Sequence, residues 1–133
     1  MNATTSQLNA QPTVQLPLYQ LAHGRAGDKG NTSNISVIAW DEACFELLVA
    51  QATESRVAQW FGYRHPTQVT RYVLPKLQAM NFVLEGILDG GVNDALNLDT
   101  HGKGLSFWMM DMPIEVPKTL AERLGIKEYS QAI

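Results

Sequence analysis

The stretch from Ala22 to Asn34 constrains the fold more than any other part of the chain. It sets Gly24, Gly27 and Gly30, together with His23, Arg25, Asp28 and Lys29, between two apolar runs. Leu18 to Leu21 lies before it and Ile35 to Trp40 after it. Both flanks are rich in large apolar or β-branched side chains, so both are expected to be strands. The segment between them is then expected to be a long, charged connection held by two rigid elements. Such a connection is a common place for a site.

The residue types in this segment point to anion chemistry. Glycine reaches φ > 0 at little cost and lets a ligand or another backbone come close. Consecutive N–H groups of a glycine-rich loop can form an anion-binding concavity. Arg25 offers a planar fork for a carboxylate or phosphate, and Lys29 a point charge. Asp28 can accept from backbone N–H groups or hold a cation. The nucleotide-binding patterns G-x-x-x-x-G-K-[ST] and G-x-G-x-x-G do not occur. The candidate catalytic residues are His23, as general acid or base, and Asp28, as the group that orients it. The candidate anion-binding residues here are Arg25, Gly27, Asp28, Lys29 and Gly30. The plain alternative is a surface turn whose charges are solvated.

The run from Ala22-His23 through Arg25, Gly27-Asp28-Lys29-Gly30 and Asn34-Ile35 to Val37-Ile38-Ala39 resembles the AtuA-like family of acyclic-terpene-utilisation proteins. The resemblance continues through Arg71-Tyr72, Leu74-Pro75, Asn81 to Leu84, Gly86, Gly90-Gly91, Leu98-Asp99 and Gly102-Lys103, covering residues 17 to 113. It is to the small C-terminal domain of those proteins, which also exists as a separate chain. The chain departs from the family pattern at Asp89, where glycine is expected, and at His101, where glutamine is expected. The resemblance implies a ferredoxin-like fold and adds Asn34 to the anion-binding set. It also implies a link to degradation of acyclic terpenoids or branched acyl-CoA compounds.

With 133 residues, a single domain is expected, with residues 1–15 a flexible tail and 16–133 the folded unit. The tail is polar and lacks the apolar spacing that offsets ordering entropy. The net charge of −3 carries no basic run, which argues against generic nucleic-acid binding. A single cysteine fits a reducing compartment. No apolar run is long enough to span a bilayer, and no cationic-then-apolar leader opens the chain. A cytoplasmic location is the expectation, with no membrane or nucleic-acid partner.

Along the chain, Asp41 is positioned to cap a helix carrying Phe45, Leu48, Val49 and Ala52 on one face. Cys44 in its first turn is expected to be buried and inert. Thr53 opens a second helix with Val57, Trp60 and Phe61, and Gly62 ends it. Thr67 to Leu74 alternates as a strand closed by Pro75, with Arg71 on the same side as Val69 and Val73. Met80 to Leu88 fits either strand or helix; its shortness and the turn at 89–91 favour a strand buried on both faces. Asn81 and Glu85 within it need polar partners, so Asn81 joins the ligand-binding candidates. Val92 to Leu98 is a further strand candidate. Leu105, Trp108, Met109 and Met112 have helical spacing. Thr119 to Glu122 reads as a capping box, with Gly125 as the stop.

These elements make an α+β sandwich, a mixed sheet of four to five strands with helices packed on one face. Metal binding lacks a close His/Cys/Glu ligand pair, nucleophilic hydrolysis lacks a G-x-S-x-G elbow, and no cofactor is expected. Three functions stay open. The chain is a non-catalytic accessory subunit docking on a larger AtuA-type chain, the reading we favour, since the family's domain is usually fused behind a larger one. Alternatively it acts as an enzyme on an anionic acyl-CoA, or as a homo-oligomeric small-molecule binding module. Phe107 and Met110, opposite the apolar stripe of the last long helix, are the expected partner-facing residues.

Overall fold

A β-hairpin stands where the sequence suggests a loop. The computed structural model describes residues 12–87 and 102–126. Strand β2 spans Ala22–Lys29 and β3 spans Thr32–Ala39, paired antiparallel from Ala22↔Ala39 to Lys29↔Thr32. The alternation of Ser33, Ile35, Val37 and Ala39, all buried, fixes which face of β3 meets the core. Pairing with β3 then satisfies alternate backbone groups of the glycine-rich segment, all of which a long loop would leave to solvent. The turn is Gly30-Asn31, with Gly30 at φ 63°, the sign a two-residue turn with glycine first requires. The ladder takes up alternate N–H groups and spaces the others along an extended outer edge, so no concave anion nest forms. The preceding run is not a strand either: Leu18–Gln20 forms a 3₁₀ turn that buries Leu18.

Strand β1, Thr13–Pro17, pairs antiparallel with β6, Pro113–Pro117, in a separate two-stranded ribbon. Thr13, Val14 and Gln15, inside the stretch expected to be a tail, are therefore paired in a strand. Val14 and Leu16 do alternate, but their partner is about a hundred residues away in the chain. Glu115 of β6 accepts from Thr13 Oγ1 at 2.8 Å and from Gln15 Nε2 at 3.0 Å, which holds its carboxyl below the usual range.

The main sheet has the order β2-β3-β5-β4, with β4 at Gln68–Leu74 and β5 at Ala79–Glu85. Every neighbouring pair is antiparallel, so the sheet is not mixed. Strands β3 and β4 do run in the same direction, but β5 lies between them. β5 is a strand, as its length suggests, yet only one of its faces is in the core: Met80, Phe82 and Leu84 are buried, while Asn81, Val83 and Glu85 are half-buried. The strand candidate at 92–98 and the flanking turns, including Asp89 and His101, lie outside the described residues.

Helix α1 spans Glu42–Gln51 and α2 spans Glu54–Trp60. Asp41 caps α1 by accepting from Cys44 N at 2.9 Å, and Thr53 caps α2 by accepting from Arg56 N at 3.2 Å. Gly62 does follow α2, but it opens a 3₁₀ turn (Gly62–Arg64) rather than adopting a positive φ. Helix α3 spans Gly102–Met110 and α4 spans Lys118–Arg123. The expected capping box is absent: Pro117 is the N-cap of α4 and Thr119 lies inside the helix. Its end does follow the sequence. Gly125 at φ 76° donates to Glu122 O and Ile126 donates to Ala121 O, the two bonds of a Schellman stop.

The core lies between the helices and one face of the main sheet. Ile35, Val37, Phe82 and Leu84 meet Leu48, Val57, Leu105 and Met109 in a single buried cluster. Cys44 is fully buried there, and burial pushes its thiol up to about 12. Among the described residues no helix is long and apolar enough to cross a membrane.

Candidate functional site

The register assigns each candidate residue to a face. On β2, Ala22, Gly24, Ala26 and Asp28 share the core side with Ala39, Val37, Ile35 and Ser33. His23, Arg25, Gly27 and Lys29 therefore point to the opposite side, which carries no described helix. Four rows of side chains cross that open face. His23 stands opposite Ile38, Ala79 and Leu74 in turn, and Arg25 opposite Ser36, Asn81 and Tyr72. Gly27 stands opposite Asn34, Val83 and Thr70, and Lys29 opposite Thr32.

One row is thus largely apolar, and the next two are mostly polar. Ser36 Oγ donates to Asn81 Oδ1 at 3.1 Å, which ties β3 to β5 across the face and gives Asn81 the partner its position required. Arg25, Gly27, Asp28, Lys29, Thr32, Asn34, Ser36 and Ile38 line a shallow concavity of about 820 Å³. Gly27 contributes space: a Cβ there would meet nothing within 4 Å, so its lack of a side chain leaves the floor open. Two cations, a side-chain amide and hydroxyls around an open floor, with the Asp28 carboxylate also in the lining, leave one net positive charge that suits a carboxylate or phosphate.

The structure brings together Arg25, Lys29 and Asn34, with Asn81 joined through Ser36. Gly30 belongs to the turn and does not line the concavity. The proposed catalytic pair is not assembled. His23 and Asp28 lie on opposite faces of β2, about 16 Å apart along an extended strand. Asp28 therefore cannot orient the His23 imidazole. His23 instead stacks on Trp40, ring centroids 5.0 Å apart and planes at 27°. Among the described residues no three His, Cys, Asp or Glu side chains gather as a metal site.

Arg71 has a structural place. Its Nη1 donates to Val49 O at 2.8 Å and to Ala52 O at 2.9 Å, the unpaired carbonyls at the end of α1. Its backbone N donates to Glu54 Oε2 at 2.7 Å, fastening β4 to the start of α2. A cation at a helix C-terminus also complements the helix dipole.

Sequence reasoning missed a second feature beside β2. Tyr19, Ala22, His23, Gly24, Trp40, Ser106, Phe107, Met110 and Asp111 line a groove of about 490 Å³ between the edge of β2 and α3. Tyr19, Trp40 and Phe107 are more than half exposed. Phe107 is exposed as its helical position suggests, but Met110 is buried. A Cβ at Gly24 would sit 2.7 Å from Met110 Sδ, so this glycine is what lets α3 approach β2. The exposed aromatics are far apart in sequence, which hides the groove from any local pattern.

The family model of the AtuA ferredoxin-like domain matches residues 16–115. No curated protein and no solved structure matches the chain.

Proposed function

The chain belongs to the AtuA ferredoxin-like domain family, and from that premise we propose that it is a non-catalytic accessory subunit. It docks on a larger chain of the same family through the open face of its main sheet. The observation that carries this reading is the arrangement of that face. An apolar row from Ile38 through Ala79 to Leu74 lies beside a polar row from Arg25 through Ser36 and Asn81 to Tyr72. Tyr72 and Leu74 are exposed. An apolar strip with polar groups beside it is the usual composition of a docking surface. The separation of His23 from Asp28 supports a binding role over acid–base chemistry.

Arg25, Lys29, Asn34 and Asn81 would hold an anionic group of the partner, with Gly27 leaving room for it. The same layout gives the second reading its support: an acyl-CoA could lay its chain on the apolar row and its phosphates by the cations.

The test is affinity purification of the tagged chain from its source cells. The expected result is a larger family chain recovered in fixed ratio, lost in Tyr72→Ser and in Lys29→Glu while both variants stay folded. Recovery of the chain alone, as a monomer, would refute the reading. Calorimetric titration with an acyl-CoA decides the second one.

A further inference from the structure

The outer side of β2 carries no paired strand among the described residues, because β2 ends the order β2-β3-β5-β4. This edge is eight residues long, and a long free edge is a template for another strand. The two faces of the edge differ. On the open side, Arg25 and Lys29 project from β2; Asp28, the carboxylate of β2, belongs by register to the helix side although it also lines the concavity. On the helix side, at Ala22 and Gly24, the edge runs into the groove of Tyr19, Phe107 and Met110.

We propose that β2 accepts an extended segment of the partner chain as a fifth strand. The segment carries acidic side chains toward Arg25 and Lys29 and an apolar side chain toward Phe107. This rests on the accessory-subunit reading for the partner's identity, but not for the chemistry of the edge. Main-chain hydrogen bonds supply affinity in such additions, and alternate side chains supply specificity. The spacing of the receiving groups sets the pattern of the guest. In an antiparallel addition, residues opposite Lys29 and Arg25 are four apart, and the residue after the second faces Gly24. The expected segment therefore has two acidic residues four positions apart, followed directly by an apolar one.

Charge decides against a second copy as occupant. Two β2 strands paired antiparallel in one sheet place residues of the same face opposite each other. Arg25 and Lys29 would then meet only His23, Arg25, Gly27 or Lys29 of the second copy. Like charges opposite one another destabilise a strand pair, and the carboxylate that the open face does carry, Glu85 of β5, is separated from β2 by β3. An acidic guest reverses that balance.

The test is an NMR titration of the isotope-labelled full chain with a synthetic octapeptide, carried to millimolar concentration. The peptide holds two glutamates four apart, a leucine after the second, and threonines elsewhere. Saturable shifts confined to residues 22–29 and Phe107 are expected. Backbone N-methylation at alternate positions of the peptide should weaken binding by about tenfold or more, because it removes the ladder bonds. Exchanging its glutamates for lysines should do the same, and Arg25→Glu with Lys29→Glu should restore binding of the lysine peptide. No saturable shift, or equal binding of the methylated or lysine peptide, overturns the proposal. The outcome separates from the accessory reading. A larger chain captured while the peptide fails removes only the edge as its contact. Peptide binding with no larger chain captured keeps the edge site and removes the accessory reading.

Discussion

Trp60 and Trp108 each donate an indole N–H to the other's backbone carbonyl, both at 2.7 Å. Their rings stack with centroids 4.5 Å apart and planes at 14°, and Tyr63 meets Trp108 edge-on at 5.5 Å. The pair joins the last residue of α2 to the last turn of α3. The Trp60 carbonyl is one of the unpaired groups at the end of α2, so the Trp108 indole acts as a remote cap. The Trp108 carbonyl also accepts from Asp111 N at 3.2 Å.

This asymmetry predicts unequal variants. Trp108→Phe strips the cap from the Trp60 carbonyl and should cost about 1–3 kcal/mol. Trp60→Phe leaves the Trp108 carbonyl its Asp111 donor and should cost less. Because the two bonds close one ring, the double variant should cost less than the sum of the singles. Urea unfolding of the three proteins checks this.

Arg71→Ala should destabilise the fold by about 1–3 kcal/mol, because it leaves the Val49 and Ala52 carbonyls without their donor. Arg71→Lys should recover only part of the loss, since one ammonium on a flexible stem lacks the fixed fork. Thermal melts of both variants measure the difference.

The two glycines of β2 should respond in opposite ways. Gly24→Ala forces Met110 aside and crowds Ser36 O at 3.2 Å, so about 1–3 kcal/mol of stability should be lost. Gly27→Ala meets open space and should stay within about 0.5 kcal/mol. It should nevertheless weaken binding on the open face by filling the concavity floor. Denaturant unfolding reads the first effect, and recovery of the larger chain in the affinity purification reads the second.

The Asp41 carboxyl is held below its usual range, first by the hydrogen bond from Cys44 N. A depressed folded value means that the cap stabilises above the unfolded pKa, near ~4, and that this contribution fades as pH falls through the folded value. Asn caps as well without titrating. The stability difference between the parent and Asp41→Asn should therefore shrink between about pH 5 and pH 2. Across that range, α1 should lose little helicity in the Asn variant, as read by circular dichroism.

Cys44 should resist thiol reagents at pH 8 in the folded protein and react once the chain is unfolded. Its thiol is buried and pushed up to about 12, chiefly by desolvation. A rate equal in both states would show that α1 opens readily from the core.

Much of the fold was legible because its causes are local. Asp41 and Thr53 cap helices through bonds to residues three positions on, and Gly125 stops one through its own φ. Alternation identified β4 and placed Arg71 on the side of Val69 and Val73. The same alternation in β2 was masked, because glycine carries no side chain to pattern and charge dominates the rest. Thr119 to Glu122 shows the opposite error: a sequence match to a cap that Pro117 had already made unnecessary.

By itself, the sequence determined the family, the helix caps at Asp41 and Thr53, the helix stop at Gly125, the charged and glycine-rich composition around Arg25 and Lys29, and a fold with an unaided hydrophobic core. Each follows from short-range chemistry or from a motif a few residues long. Tertiary structure alone decided the pairing of β1 with β6, the position of β5 between β3 and β4, and the groove of Tyr19, Trp40 and Phe107. It also set His23 and Asp28 on opposite faces of one strand. The physical reason is strand periodicity combined with distant pairing. A residue's face depends on which partner strand supplies its hydrogen bonds, and that partner is chosen by burial of the whole apolar set rather than by neighbours in the chain.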